Sequence, residues 1–403
     1  MNQITQDKRM NDHKTDFDPL RDVQAGGGPG MRSFIYGHLA PEAFPIADLL
    51  AACEQSLRED GSLALQYGPQ QGYGPLIDYL RTKIEHDEGL SLGREYLTIT
   101  AGCAGALDAI ARLFTQPGDA ILVEAPTYAD TLHLFRDHRL RLFQVPIDEK
   151  GLIVEATAQR LEELHRAGER PKFIYTIANF QNPTGVTLSV ERRKQLIDLV
   201  RAHDVRIIED DVYRDLRYEG EVPPSLFALD ESHEAVIRVG SFSKILSPGL
   251  RLGWVTAAPQ IIERMTNCGL RSMGGGDNPF AAHVVTAFCT RGLLEPHIAR
   301  LREIYRARRD AALNALARSM PPGVTWTQPR GGFFVWLTLP ASLLARQVIA
   351  AAEQRGVTCL PGDLFFAEGG GERNLRLAFS YLSPADITQG ITALGDAIHS
   401  LNG

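Results

Sequence analysis

The sequence predicts an α/β protein with a large unit built on an open sheet and a smaller α+β unit beside it. Three observations carry this. The chain has 403 residues, 44% of them hydrophobic, which is more than one typical domain holds. From Gly61 to about Arg291, short runs that are apolar on both faces alternate with helical patterns, as in a buried parallel sheet. Past Glu295 the pattern changes to a long amphipathic helix followed by a few separated strands.

Residues 1–34 read as a flexible tail: Met1 to Asp18 are polar and charged, and Gly26 to Gly30 are rich in glycine. In the large unit the strand candidates include residues 121–123, 173–175, 205–208 and 236–239. Helices are expected over 104–115 and 189–203. In the second, Leu196, Leu199 and Val200 share a face and Ser189 is a suitable N-cap. Strands alternating with helices imply an open α/β sheet. Farther on, Leu294, Ile298, Leu301 and Tyr305 line one side of a helix. A Gly-Gly turn, a strand over 333–339, a helix over 341–354 and a strand over 375–379 follow.

A net charge of -7 argues against nucleic acid as a partner, since such proteins carry a basic face. Five cysteines without Cys-x-x-Cys spacing read as reduced thiols of a cytoplasmic protein. No stretch approaches the roughly 18 apolar residues of a membrane helix, and the N-terminus lacks the apolar core of a signal peptide.

The most informative segment is Gly240-Ser241-Phe242-Ser243-Lys244, with Arg251 shortly after. It follows the strand at 236–239, and sheet ligands bind beyond the carboxyl ends of such strands. A lysine amine can form an imine with an aldehyde, while hydroxyls and a guanidinium can hold a phosphate dianion. Taken alone, the segment equally fits an ordinary surface loop. Two further strand ends add what a phosphorylated pyridine aldehyde requires. Asn182-Pro183-Thr184-Gly185 offers an amide, and Asp210-Asp211-Val212-Tyr213 offers a carboxylate and a phenol. A carboxylate keeps a pyridine nitrogen protonated, and the amide and phenol can bond a ring oxygen. The group that fits is pyridoxal 5'-phosphate.

In this ordered set of motifs the chain resembles the fold-type-I aminotransferases from about Ile35 to Leu394. Within them it is most similar to the class I/II branch with 2-aminoadipate and multi-substrate enzymes, whose domain also occurs fused to DNA-binding heads in GntR-type regulators. The resemblance implies a large cofactor domain (61–291) around a mostly parallel mixed sheet, and a small α+β domain from 35–60 and 292–403. It implies that Lys244 forms the Schiff base and shuttles the proton. Asp210 would pair with the ring nitrogen, preferred over Asp211 because Tyr213 then completes the family's Asp-x-x-Tyr. Tyr213 and Asn182 would contact the ring oxygen, and Tyr128 would stack on the ring, although a tyrosine there also fits a core position. Ser241, Ser243, Arg251 and the amides of Cys103, Ala104 and Gly105 would hold the phosphate. Tyr67 would reach the phosphate in a neighbouring subunit, which implies a homodimer. Arg376 would bind the substrate α-carboxylate, with Gly37 close to it; a surface ion pair is the plainer reading of Arg376.

The chain departs from this family's pattern in four places. Gly102-Cys103-Ala104-Gly105 replaces Gly-Ser-Gln-Gln, and Tyr36-Gly37-His38-Leu39 replaces Gly-Gly-x-Pro. Arg373-Asn374 shifts the usual asparagine by one place, and residues 271–279 are unusually rich in glycine. The expected reaction is transfer of an amino group from an amino acid to a 2-oxo acid, with ping-pong kinetics and 2-oxoglutarate as an acceptor. The alternative is other chemistry of the same cofactor, such as β-elimination, decarboxylation, oxidation or carbon–carbon bond formation. A regulator is not expected, because the segment before Gly37 is short for a DNA-binding head.

Overall fold

The computed structural model describes residues 30–402. Their strands are β1 (Arg32–Ser33), β2 (Leu97–Thr100), β3 (Ala120–Ala125), β4 (Arg141–Asp148), β5 (Gly151–Leu152), β6 (Phe173–Thr176), β7 (Arg206–Asp210), β8 (Val236–Ser241), β9 (Gly253–Thr256), β10 (Thr325–Trp326), β11 (Phe334–Thr338), β12 (Val357–Thr358), β13 (Leu360–Pro361) and β14 (Asn374–Ala378). The large sheet has the order β2-β9-β8-β7-β6-β3-β4-β5. Its centre is parallel, from β8 through β7, β6 and β3 to β4. Each central strand is apolar on both faces because helices cover both. Ile174, Ile207, Ile208, Val236 and Ile237 are all buried.

The site follows from strand direction. Strands β3, β6, β7 and β8 run the same way, so the segments carrying Tyr128, Asn182, Tyr213 and Lys244 all leave one edge of the sheet. Strand β9 is antiparallel to β8, and β2 is antiparallel to β9. Two reversals return β2 to the common direction, so the helix Gly102–Phe114 starts at the same edge.

A smaller antiparallel sheet has the order β10-β11-β14-β13 and sets Arg376 on β14. The helices Leu294–Ser319 and Pro384–Asn402 pack on one another beside it. Of the expected tail, residues 1–29 lie outside the described residues. Beyond them, pairing begins earlier than residue 35: β1 runs parallel to β12, and Phe34 is buried, with its N–H on Thr358 O (2.9 Å) and its C=O accepting from Ala378 N (2.9 Å). The helical stretch Ile46–Ala64 is interrupted by a kink at Asp60, whose backbone is non-helical (φ -127°, ψ 20°), and it packs on the helix Pro279–Thr290. The helix expected over 341–354 is shorter, Ala345–Glu353, because Pro340 opens a turn closed by Leu343 N and the chain is extended at Leu344. Among the described residues no helix is long and apolar enough to cross a membrane.

The helix Val190–His203 begins as its sequence implies, with Ser189 Oγ accepting from Arg192 N at 3.3 Å. Its next residue, Arg193, is wholly buried and secures the segment that leads to Asn182. The guanidinium donates to Leu188 O (2.9 Å), Ala178 O (2.9 Å), Asn179 Oδ1 (2.7 Å) and Pro224 O (3.1 Å). Methionine at 193 would keep the packing and leave these acceptors unpaired in the interior. Arg193→Met should therefore lower the urea midpoint, with a loss of about 3 kcal/mol; an unchanged midpoint would mean that the segment is held by other contacts.

Candidate active site

Lys244 sits just beyond β8 and is half-buried. Its Nζ donates to Gly37 O at 2.9 Å. That approach requires glycine, since a Cβ at position 37 would lie 2.6 Å from the ring of Phe334. The rings of Tyr213 and Phe333 stand 5.9 and 5.7 Å from Nζ. Burial, with the nearby Arg376 guanidinium as the next cause, pushes the Lys244 amine down to about 8. A substantial neutral fraction is thereby available near neutral pH.

Asp210 closes β7 and is buried. Its Oδ2 accepts from the Tyr175 hydroxyl (2.8 Å) and the Cys103 thiol (3.5 Å), while its Oδ1 is buried with no hydrogen-bond partner. Burial pushes this carboxyl up to about 6 against the pull of those donors. It is ionised at neutral pH and has one oxygen free for a cationic N–H. Asp211 has no such open oxygen. Successive strand residues face opposite sides, and Asp211 is engaged by Asn179 (2.5 Å) and Arg238 (2.9 Å).

Arg376 reaches the site from the smaller sheet. Its guanidinium donates to Asn182 Oδ1 (3.1 Å) and to Ile35 O, and lies over the rings of Phe334 (4.6 Å) and Phe365 (4.9 Å). Its Nε is buried without a partner. Burial pushes Arg376 down to about 10, so it stays charged at neutral pH. Asn182 is fixed through its neighbour: Gln181 donates to Glu124 (3.1 Å) and Pro126 O (2.7 Å) and accepts from Thr184. Tyr128 donates to Asp130 at 2.6 Å.

At the same sheet edge, Gly102 opens its helix with φ +73°, and no side chain caps the first amides. The Arg251 guanidinium lies 3.6 Å from where a Cβ at Gly102 would stand, and Arg251 itself takes φ +46°, a costly conformation for arginine. Ser241 and Ser243 share a hydrogen bond of 2.9 Å. Uncapped amides, two hydroxyls and a guanidinium form an anion site. With the lysine amine and the open oxygen of Asp210, this donor set fits the phosphate, aldehyde and ring nitrogen of pyridoxal phosphate.

Of the residues expected from the sequence, Tyr67 alone stays apart, exposed beside Gly274. Two contacts were not anticipated. In the sequence Tyr175 reads only as a strand residue, and Cys103 offers only its amide. The glycine-rich 271–279 segment also has a use: Arg271 donates to Asp277 (3.0 Å), which accepts from Ala101 N (3.1 Å) at the helix start. The displaced Asn374 instead ties β14 to β11 through Thr338 (2.9 Å).

Residues 39–394 match the family described as aminotransferase class I and II. The aromatic-amino-acid aminotransferase 1 of Thermococcus litoralis is 38% identical over 359 residues, covering 89% of this chain and 86% of that protein. The multiple substrate aminotransferase of Thermococcus profundus superposes with a TM-score of 0.89 at 36% identity, covering 96% of each chain. The α-aminoadipate aminotransferase of Thermus thermophilus, solved with N-(5'-phosphopyridoxyl)-L-leucine, gives 0.85 at 35% identity, again over 96% of each chain.

The lowered basicity of Lys244 can be measured directly. With no cofactor added, acylation of Lys244 followed by peptide mass spectrometry should rise with pH around a midpoint near 8. In Arg376→Met the midpoint should move up, because a neighbouring cation that disfavours the ammonium is gone. A midpoint in the ordinary lysine range for the wild type would contradict the desolvated setting.

Proposed function

This chain belongs to the class I and II aminotransferases, and from that premise we propose how its residues divide the reaction. It is a pyridoxal-phosphate-dependent fold-type-I aminotransferase, moving an amino group from an amino acid to a 2-oxo acid. The cofactor, when bound, supplies an electron sink for the pair left at the substrate α-carbon.

Lys244 is the nucleophile that holds the cofactor's aldehyde carbon. Once displaced by the substrate amine, its Nζ would be free to take the α-proton and pass it on within the site, and the two half-reactions would follow in ping-pong order. Asp210 keeps the ring nitrogen protonated through Oδ1. Tyr213 and Asn182 bond the ring oxygen, and Tyr128 covers the ring. The amides of Cys103, Ala104 and Gly105, with Ser241, Ser243 and Arg251, hold the phosphate. Arg376 grips the α-carboxylate, which lies against Gly37. The observation that carries this reading is the convergence of a low-basicity amine, a carboxylate with an open oxygen and a buried guanidinium at one sheet edge.

The amino donors we propose have bulky apolar or aromatic side chains, with 2-oxoglutarate as an acceptor. Support comes from the stacked rings of Tyr36 and His38 (5.1 Å) on the segment that contacts Lys244, and from the substrates for which the relatives are named. Residues 61–291 act as the cofactor domain, with 35–60 and 292–403 as the small domain. We also infer a homodimer. Ile46, Leu50 and Leu57 stand exposed on one side of their helix, and Tyr67, Leu270 and Met273 are exposed as well, an apolar area that a second copy would cover. Tyr67 would then reach the partner's phosphate site. The free thiols suit a cytoplasmic setting, and the net charge of -7 speaks against nucleic acid as a partner.

Borohydride reduction of the yellow holoenzyme, followed by peptide mapping, should place the label on Lys244. Label on another lysine, or a colourless protein after incubation with the coenzyme, would overturn the assignment. Arg376→Ala should reduce kcat/KM for amino donors by on the order of 10²–10³-fold, because a buried charge pair with the carboxylate is lost.

A further inference from the structure

The two oxygens of Asp210 are held differently, and the difference has a chemical consequence. Oδ2 carries two donors from two separate elements, Tyr175 on β6 and Cys103 on the first turn of the helix Gly102–Phe114. An ionised carboxylate can only accept, so the Tyr175 hydroxyl gives it its one proton, and Thr131 Oγ1 at 3.3 Å is left to donate to the tyrosine oxygen. Oδ1 is buried with no partner. The thiol stands where the related motif has a serine, so this second donor belongs to the segment in which the chain departs from its family.

We propose that Tyr175 and Cys103 are positioning residues that turn Oδ1 of Asp210 toward the cofactor's ring nitrogen and set how strongly that nitrogen keeps its proton. The inference rests on Asp210 being the partner of the ring nitrogen. Donors on Oδ2 stabilise the ionised carboxylate and make it a weaker base. Removing one makes Asp210 more basic, and it draws the ring proton toward itself. The ring then withdraws fewer electrons, and the nitrogen that Lys244 contributes becomes more basic. The other groups that act on Asp210, or on which it acts, are Asp211 on its own strand, Glu124 on β3, Tyr213 beyond β7 and Lys244 beyond β8. None of these donates a hydrogen bond to Asp210; the Val212 N–H beyond β7 also pulls on the carboxylate, but it belongs to the backbone, so the two side-chain donors on Oδ2 are the part a substitution can adjust.

The test is a pH titration of the holoenzyme's visible absorbance, which reports the proton on the nitrogen from Lys244, in wild type, Tyr175→Phe, Cys103→Ala and Cys103→Ser. Tyr175→Phe should raise the midpoint by about 0.5–1 pH unit. Cys103→Ala should raise it less, because the thiol is the weaker and longer donor, and Cys103→Ser should return it toward the wild-type value. In Tyr175→Phe and Cys103→Ala kcat should fall while KM for the amino donor holds, since Arg376 is untouched, and Cys103→Ser should recover kcat. If Tyr175→Phe does not fold, the cysteine pair still decides. A midpoint that stays put or moves down in Tyr175→Phe and Cys103→Ala, with the label of borohydride reduction still on Lys244, overturns the inference and leaves the function standing. A wild type that takes up no coenzyme overturns both.

Discussion

The structure turns on charges taken out of water and left without counter-ions. Lys244, Asp210 and Arg376 converge at one edge of the large sheet, yet among the described residues none of them makes an ion pair within 4.0 Å. An unpaired charge in a protein interior is normally removed by a proton shift or by a partner. The shifts are visible here. Burial moves the lysine toward its neutral form and the carboxyl toward its protonated form, and it takes some basicity even from the arginine. A fold keeps such groups unpaired where a ligand will complete them, and each matches one part of the chemistry: the aldehyde, the ring nitrogen and the substrate carboxylate.

The contrast with the charges directly beneath is instructive. Asp211 is one residue from Asp210 but faces the other side of β7, where Arg238 bonds it and also Glu88. Arg214 closes the same network on Glu88 at 2.9 Å. Every member there has a partner, and burial holds the set rigid. The reactive carboxylate is therefore mounted on a strand whose next residue is locked, so the open oxygen gains orientation without being satisfied itself. Arg193 gives the same service to the segment bearing Asn182.

Most of the scaffold was legible because it depends on local pattern. Runs apolar on both faces marked β3, β6, β7 and β8, and Ser189 marked a helix start. The choice of Asp210 over Asp211 came from its spacing to Tyr213 alone. What the sequence hid depends on neighbours far along the chain. Tyr175 reads as a core strand tyrosine until β6 is laid beside β7, and the role of the Cys103 side chain needs the helix start to meet the end of β7. The bond from Lys244 to Gly37 joins a segment of the large unit to one 207 residues earlier in the chain. The late start of the helix Ala345–Glu353 shows a local signal overruled, because helix-forming residues after Pro340 are held in a turn.

The groups suited to the cofactor and the group suited to a substrate carboxylate are carried by different sheets. The residues suited to the cofactor leave the large sheet, whereas Arg376 projects from β14 opposite Trp336 in the small one. Between them stands Asn182, whose Oδ1 accepts from Arg376 while its loop is anchored through Gln181 to Glu124. A bound carboxylate would meet a guanidinium already aimed by that amide and backed by the faces of Phe334 and Phe365, which leave it little freedom to lose. Phe334 also blocks any side chain at position 37 and so keeps the Gly37 carbonyl against Lys244. One ring thus touches both the group suited to the substrate carboxylate and the peptide that steadies the reactive amine. Displacing it would disturb both ends of the reaction, so the two sheets form one site rather than two adjoining ones.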